Sequence, residues 1–139
     1  MESNDPPEDV SVPSDIESLA RKFQKELNAG LVSFILLGIL DTAAEDLYGY
    51  QIAKRLEGLA PGGSPMKQGA LYPVLRALAS NALLSSRVVP SYAGPARRYY
   101  RITPTGRETY ARFRQIWTYT RDFVDAVAPA GTPDSGAST

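Results

Sequence analysis

The chain has 139 residues, 43% of them hydrophobic, which is enough for one modest core and predicts one folded domain. It contains neither histidine nor cysteine, which excludes disulfides, thiolate zinc sites, cysteine nucleophiles and histidine general bases. Its formal net charge is zero, yet residues 47–121 hold twelve Lys and Arg residues against Glu57 and Glu108, a net charge of +10. Such a concentration indicates either a solvated basic face or a surface that binds a polyanion.

The first thirteen residues form an acidic leader. They hold three prolines and four acids with almost no apolar content, so we expect residues 1–13 to be disordered. The acidic start is unlike a signal peptide, which begins with a basic region. The longest nearly apolar run, residues 29–40, covers about 12 residues, whereas a bilayer-spanning helix needs about 20. These features predict a soluble, cytoplasmic protein.

Two helical patterns follow the leader. Ser14 and Glu17 fit a capping box, with the acid three residues after the cap. The helix that starts there either ends or is weakened at residues 28–30, Asn-Ala-Gly. Residues 31–41 are apolar on almost all sides, which predicts the buried central helix of the domain. The apolar face of the first helix consists of Ile16, Leu19, Ala20, Phe23 and Leu27.

Two further helices flank a loop of glycine and proline at residues 58–65. The fourth helix begins near Lys67, and Pro73 indicates either a start near Ala70 or an irregular first turn. Asn81 ends this helix, because asparagine tolerates the left-handed conformation. We expect the inward-facing residues to be Ile52, Ala53, Leu56 and Leu59 on the third helix, and Leu71, Val74, Leu75 and Leu78 on the fourth.

Residues 83–89 and 97–103 predict two strands joined by a turn of Gly, Pro and Ser. Two strands this short cannot form an independent sheet, so they must lean on the helices as a wing does. Alternation along the second strand separates two sets of side chains. One side carries Arg98, Tyr100 and Ile102, and the other carries Arg97, Tyr99 and Arg101.

A last helix is predicted from Thr103, as N-cap, and Pro104, as first helical residue, to Val127. Ile116 and Phe123 widen its apolar stripe beyond what one small domain covers. The residues from 129 onward are typical of a disordered tail. Steps of three and four, as in a coiled-coil seam, connect Tyr110, Phe113, Trp117, Thr120, Val124 and Val127.

The order of elements predicts a mainly α protein with a small β-hairpin. We interpret it as a winged helix-turn-helix with N- and C-terminal dimerisation helices. The predicted organisation is a disordered acidic leader (1–13), a DNA-binding domain that includes the N-terminal helix (14–102), a C-terminal dimerisation helix (103–128) and a disordered tail (129–139).

Four segments carry a resemblance to a known family. LVSFILLGIL, LYGYQIAKRLE, GALYPVLRALASNALL and GPARRYYRITPTGRE resemble, in order and spacing, the PadR family of bacterial transcriptional regulators over roughly residues 25–127. The single C-terminal helix is similar to that of its compact subgroup. The chain departs from the family pattern at Ala79, where Glu is usual, and at Ala82, where Gly is usual. We expect Asn81 to take over the terminating role of that glycine.

The resemblance implies a sequence-specific DNA-binding regulator, a homodimeric repressor on a palindromic operator. Gly69 either permits close backbone approach to DNA or forms a tight helix start, and Tyr72 either donates to a phosphate or packs in the core. Strand alternation means that one of Arg97 and Arg98 braces the sheet. The predicted DNA-binding residues are Lys67, Gln68, Gly69, Ala70, Tyr72, Pro73, Arg76, Ser91, Gly94, Arg97 and Arg98.

Some members of the family bind flat aromatic or cationic small molecules between the helices of the dimer, through an aromatic residue on the last helix. The resemblance therefore implies a small aromatic effector. Trp117 is placed either for that role or for burial in the dimer seam. The predicted ligand-binding residues are Trp117, Phe113, Tyr110 and Phe34. The predicted dimer interface consists of Phe23, Leu27, Phe113, Ile116, Trp117, Thr120, Phe123, Val124 and Val127.

An alternative function is a winged-helix module that binds protein without binding DNA directly, with the acidic leader covering the basic face. An enzyme is poorly supported, because no acid–base or nucleophile constellation is visible without His or Cys. We therefore expect no cofactor, no metal and no membrane partner. The expected partners are double-stranded DNA, a second copy of the chain and a small aromatic effector, with the protein on the nucleoid when bound to DNA.

Overall fold

The first helix is longer than the sequence predicts. The structure, a computed structural model, describes residues 8–129, with side chains from residue 15 onward. Helix α1 spans Glu8–Asp41 without a break, so the predicted N-cap at Ser14 is wrong and residues 28–30 do not end the helix. One interior glycine costs about 1 kcal/mol, which a long helix anchored in a core tolerates. The rest of the predicted leader and the tail, residues 1–7 and 130–139, lie outside the described residues.

The C-terminal part of α1 is the centre of the core, as predicted. Leu36 and Leu37 are fully buried and Leu40 nearly so. Within the described residues, the segment Asp15–Asp41 is also long and apolar enough to cross a bilayer by length and composition. The burial of these leucines against the other elements accounts for part of that apolar content.

The remaining elements follow the predicted order, with one addition. A two-residue strand precedes the second helix, and sequence patterns gave no sign of it because two residues have no detectable period. The elements are β1 (Leu47–Tyr48), α2 (Gly49–Gly58), α3 (Gln68–Ser80), β2 (Leu84–Val89), β3 (Arg97–Ile102) and α4 (Pro104–Val127).

The described strands form one antiparallel sheet in the order β1-β3-β2. Leu47 lies opposite Tyr100, and Leu84 lies opposite Ile102. Leu47, Leu84, Tyr100 and Ile102 are all buried, so the base of the hairpin belongs to the core and the predicted alternation along β3 is confirmed. Burial also raises the pKa of the Tyr100 hydroxyl.

Helices α2 and α3 pack on α1 through the predicted leucines and isoleucine, with one exception. Leu59 is exposed and not inward-facing as expected, because it is the C-cap of α2, where the last turn tightens and its N–H donates to Leu56 O, three residues back. Helix α3 begins at Gln68 with Lys67 as N-cap, before the alternative start near Ala70. Pro73 lies inside it, in the second turn.

The end of α3 is a Schellman motif with an unexpected residue in the left-handed position. Leu83 N–H donates to Leu78 O and Ala82 N–H donates to Ala79 O, both at 3.0 Å. Ala82 has φ of 66°, whereas Asn81 has φ of −91°. The expectation that Asn81 adopts the left-handed conformation is therefore wrong. The hydrogen-bond pattern places that conformation one residue later.

Candidate nucleic-acid interface

Helix α3 presents one face to the core and the other to solvent. Leu71, Leu75 and Leu78 are buried, and they fix the rotation of the helix about its axis. The opposite face is consequently exposed. It carries Lys67, Gln68, Gly69, Ala70, Pro73 and Arg76, which are six of the predicted DNA-binding residues.

The amino end of α3 combines free amide groups with small side chains. The first turn of a helix leaves N–H groups without intrahelical partners, and the helix dipole makes this end electropositive. No described atom lies within 4 Å of a Cβ built on Gly69, and Gly69 has no left-handed backbone. A tight helix start therefore does not explain this glycine. Close approach of another molecule remains as the predicted reason.

Tyr72 packs against the body of the domain. A Cβ added to Gly49, at the start of α2, would overlap the Tyr72 ring, so the two residues are in direct contact. The Tyr72 hydroxyl accepts a hydrogen bond of 2.7 Å from Gln68 Nε2. Of the two roles left open by the sequence, packing describes the ring. The hydroxyl group orients Gln68 at the exposed end of α3.

The wing, defined as β2, β3 and residues 90–96 between them, ends in a turn with one left-handed glycine. Gly94 has φ of 127°, a conformation that side chains disfavour. Ser91 is half-buried, and the neighbouring Tyr92 is completely exposed. An aromatic side chain held in solvent at a hairpin tip was not among the predicted DNA-binding residues. Only its exposure, which the sequence does not reveal, distinguishes it.

Arg97 and Arg98 lie on opposite faces of the wing, as the alternation predicts. Arg98 Nη1 donates to Ser86 Oγ at 3.2 Å and, with Arg76, lines a shallow cleft between α3 and the wing. Arg97 stacks over the ring of Tyr48, with its guanidinium carbon 4.6 Å from the ring centroid. Arg98 therefore extends the exposed face of α3, and Arg97 braces the sheet.

Three other arginines form ion pairs with acids that lie just before residues 47–121 in the sequence. Arg107 Nη1 pairs with Asp41 Oδ1 at 2.6 Å. Arg87 and Arg101 both pair with Asp46. The charge of +10 for residues 47–121 therefore overstates the free positive charge of the fold. In the described part of the chain, Lys67, Arg76, Arg97 and Arg98 have no ion pair, and all four are exposed.

Asp46 is the acid most deeply involved in the wing. Its Oδ1 accepts from Arg101 Nε at 2.8 Å, and its Oδ2 accepts from Arg87 Nε at 3.0 Å. Its side chain is only 11% exposed. The hydrogen bond from Arg101, and then that from Arg87, hold the pKa of this carboxyl below its usual range, against the opposing effect of burial. Asp46 and the contact of Asp41 with Arg107 were both missed by sequence reasoning, since each joins residues more than forty positions apart.

An open cavity of about 630 Å³ lies between α1, the end of α2 and α4. Phe34, Tyr110 and Trp117, three of the four predicted ligand-binding residues, line it together with Arg55 and Arg114. The Phe34 and Tyr110 rings are 5.4 Å apart. Phe113 does not belong to this lining, because its half-buried side chain packs on the core. Its predicted ligand role is not supported.

Two apolar stripes are exposed on the helices at either end of the fold. On α1 the stripe consists of Ile16, Leu19, Phe23 and Leu27. On α4 it consists of Ile116, Tyr119, Phe123, Val124 and Val127. Thr120 is exposed beside it, whereas Phe113 and Trp117 are half-buried. Six of the nine predicted dimer residues thus fall on these two exposed apolar surfaces: Phe23, Leu27, Ile116, Phe123, Val124 and Val127. Among the described residues, no group of three or more His, Cys, Asp or Glu side chains is placed to hold a metal ion.

Comparison with known proteins gives consistent matches. The family model described as "Transcriptional regulator PadR-like family" matches residues 36–112. An uncharacterised protein of Lysinibacillus sphaericus is 27% identical over 95 residues, covering 68% of this chain and 84% of that protein.

Solved structures share the architecture. A PadR family transcriptional regulator from Eggerthella lenta has a TM-score of 0.69 and 27% identity, covering 85% of this chain and 99% of that one. Bacillus subtilis PadR in complex with operator DNA has a TM-score of 0.52 and 21% identity, covering 60% of this chain and 45% of that one. This second similarity concerns the fold alone.

Proposed function

Because the chain belongs to the PadR-like family of transcriptional regulators, we propose that it binds operator DNA with α3 and the wing. Members of this family are regulators and not enzymes, and bacterial regulators act in the cytoplasm. The observation that carries the proposal is a group of three cations on one side of the domain. Lys67, Arg76 and Arg98 all lie on the exposed side of α3 and its cleft with the wing, without an ion pair in the described residues.

The chemistry of the α3 face suits a major groove. Lys67 and Arg76 suit phosphate oxygens or guanine, and Gln68 suits adenine. Gly69 and Ala70 leave room for the backbone amides of the first turn to approach a phosphate. The wing tip, with Ser91, Tyr92 and Gly94, would follow the neighbouring backbone or minor groove. Pro73 is exposed on the same face and would contact the DNA through its shape alone.

The working form of the regulator is proposed to be a homodimer. The stripes on α1 and α4 expose large apolar side chains that a second copy would cover. A two-fold axis would place two α3 helices about 34 Å apart, in successive major grooves of a palindromic operator. Repression follows if such a dimer occupies a promoter and excludes polymerase.

A small aromatic ligand in the cavity beside Trp117 is the proposed signal for release. Phe34, Tyr110 and Trp117 offer flat apolar surfaces, and the Arg114 guanidinium donates to the Tyr110 hydroxyl at 2.8 Å. Trp117 is the single tryptophan of the chain, so its fluorescence reports on this cavity. Quenching by aromatic compounds in the wild type, together with weaker operator binding, would support this role. Equal quenching by compounds that leave operator binding unchanged would contradict it.

Operator binding is tested with the promoter region of the protein's own operon. We expect preferential binding to that fragment over random DNA, with an affinity that falls steeply with salt as phosphate contacts release counterions. Lys67→Glu and Arg76→Glu should each abolish it. Arg121→Glu is the matched control, since it makes the same charge change on α4, at an exposed position on the side away from the apolar stripe. Binding to the promoter region no tighter than to random DNA at moderate salt would refute the proposal.

A further inference from the structure

The wing is attached to the rest of the domain at its base. Leu84, Tyr100 and Ile102 are buried there, but from Arg87 to Arg98 the hairpin is mostly exposed. Backbone pairing with the body is limited to the two residues of β1, which lie opposite Tyr100 and Tyr99. Such a short contact leaves the direction of the outer half of the hairpin weakly defined by the backbone alone.

Asp46 adds a second attachment that reaches across the whole sheet. It stands directly before β1, and its carboxylate binds Arg101 of the central strand and Arg87 of the far strand. Arg87 lies opposite Tyr99, which is two residues closer to the tip of the hairpin than Arg101 is. One carboxylate thus connects the loop after α1 with both strands of the wing. We call Asp46, Arg87 and Arg101 the Asp46 clamp.

The clamp continues outward through aromatic stacking. The Arg87 guanidinium carbon lies 5.0 Å from the centroid of Tyr99, whose ring contacts Tyr48 edge-on at 5.2 Å. Tyr48 in turn supports Arg97. The outer face of the wing is therefore a chain of contacts that starts at a single acid and ends near the tip. Planar guanidinium groups that pair and stack in this way have restricted orientations.

The clamp also removes two cations from the DNA-binding charge. Arg87 and Arg101 are more than half exposed, yet both are paired with a largely buried carboxylate. Without that acid they would be free to bind phosphates of any DNA sequence. Operator contacts on α3 would be unaffected by such binding, so the loss would fall on discrimination between sequences.

We infer that Asp46 is a positioning residue, which directs the wing and withholds Arg87 and Arg101 from non-specific phosphate contacts. The inference rests on the proposed DNA binding. Removal of an acid near a DNA-binding surface ordinarily strengthens binding to operator and random DNA alike. Removal of Asp46 should instead lower the affinity for operator relative to that for random DNA.

Asp46→Asn and Glu45→Gln form a matched pair for the test. Both remove one negative charge at adjacent positions, but the described residues give Glu45 no ion pair. We expect Asp46→Asn to lower the ratio of operator to random affinity about tenfold, the equivalent of one lost charge-assisted contact. Its salt slope on random DNA should rise, since released arginines neutralise up to about two more phosphates. Glu45→Gln should leave the ratio unchanged.

Arg101→Gln provides a second route to the same conclusion. It opens the clamp while removing a positive charge, so a purely electrostatic effect would have the opposite sign to that of Asp46→Asn. A lower ratio in both variants supports positioning. It also decides the question if Asp46→Asn does not fold, which thermal unfolding would reveal.

The position of the wing is measured independently of DNA. Because the chain has no cysteine, Ala93→Cys at the tip and Glu57→Cys on α2 accept a pair of spin labels. Dilution with unlabelled chain restricts the measured distance to one protomer. We expect a narrow distribution in the wild-type background and in Glu45→Gln, and a broad one in Asp46→Asn or Arg101→Gln. Unchanged distances and ratios in the clamp variants would overturn the inference. A wild type without operator preference would instead refute the proposed function, while the label distances would still decide whether Asp46 directs the wing.

Discussion

The hydroxyl group of Thr103 donates a hydrogen bond of 2.8 Å to the carbonyl oxygen of Ala82. The same hydroxyl accepts from Gly106 N–H at 2.9 Å as the N-cap of α4. Thr103 N–H also donates to Leu83 O at 3.1 Å. The end of α3, the start of the wing and the start of α4 are therefore joined at one threonine.

Ala82→Gly should stabilise the protein. Ala82 occupies the left-handed position of the Schellman motif with φ of 66°, where a side chain costs about 1–2 kcal/mol and glycine does not. After allowance for the greater freedom of glycine in the unfolded chain, we expect a gain of about 1 kcal/mol in urea unfolding. Ala79→Gly, in the last turns of α3, is the control and should lose up to about 1 kcal/mol. A loss at both positions would contradict the assigned conformation.

Gly106→Ala should destabilise the protein. A Cβ at this position would overlap the backbone carbonyl oxygen of Leu83, which cannot move without disturbing the joint at Thr103. We expect a loss of about 1–3 kcal/mol, the usual cost of overpacking, visible as a lower midpoint in thermal or urea unfolding. A variant as stable as the wild type would show that the contact between α4 and Leu83 is looser than described.

Gly69→Ala separates folding from binding. No described atom approaches the added methyl group, so stability should stay constant or rise by about 0.5 kcal/mol from helix propensity. If DNA approaches the backbone here, operator affinity should fall nonetheless. Stability is measured by urea unfolding and affinity by fluorescence anisotropy. Full operator affinity in this variant would remove Gly69 from the proposed interface.

Asp46 should make stability depend on acid pH. Its folded pKa lies below the value of about 3.9 for an unfolded Asp, so the ion pairs contribute fully above about pH 4 and are lost as pH falls through the folded pKa. The difference in unfolding free energy between wild type and Asp46→Asn should therefore shrink on acidification below about pH 4. Urea unfolding across this range measures it, with Glu45→Gln as the reference. A difference that stays constant would contradict the ion pairs.

Phe123→Asp should dissociate the proposed dimer. Phe123 lies within the exposed apolar stripe of α4, and a buried carboxylate without a partner is costly. Thr118→Asp introduces the same charge on an exposed position outside that stripe and should leave the dimer intact. Size-exclusion chromatography with light scattering distinguishes the two states. A monomeric wild type, or a dimeric Phe123→Asp variant, would rule out this surface as the interface.

The regular helices and strands could be predicted from periodicity, because burial of one face imposes it. Leu71, Leu75 and Leu78 on α3, and Tyr100 and Ile102 on β3, follow this logic. The exposed α3 face with its cations followed from the same pattern.

Other features depend on tertiary contacts that a local pattern does not record. Continuity of α1 through the exposed Gly30 and the left-handed Ala82 contradict residue preferences. The helix tolerates a cost of about 1 kcal/mol at Gly30, and the hydrogen bonds of the Schellman motif override the preference at Ala82. The partners of Asp46 are 41 and 55 residues away in sequence, so the charge count for residues 47–121 includes Arg87 and Arg101 but not the acid that pairs with both.

The short connection at Thr103 has a geometric consequence for a dimer joined through α4. Strand β3 ends at Ile102 and α4 begins at Pro104, with one residue between them. The direction of α4 is thereby set relative to α3. In the proposed dimer, α4 would therefore also set the distance between the two α3 helices and the half-site spacing of the operator. An insertion of one residue after Thr103 would turn α4 by about 100° about its axis, a step fixed by 3.6 residues per turn. The variant would then prefer operators with a different half-site spacing, instead of only binding the original operator more weakly.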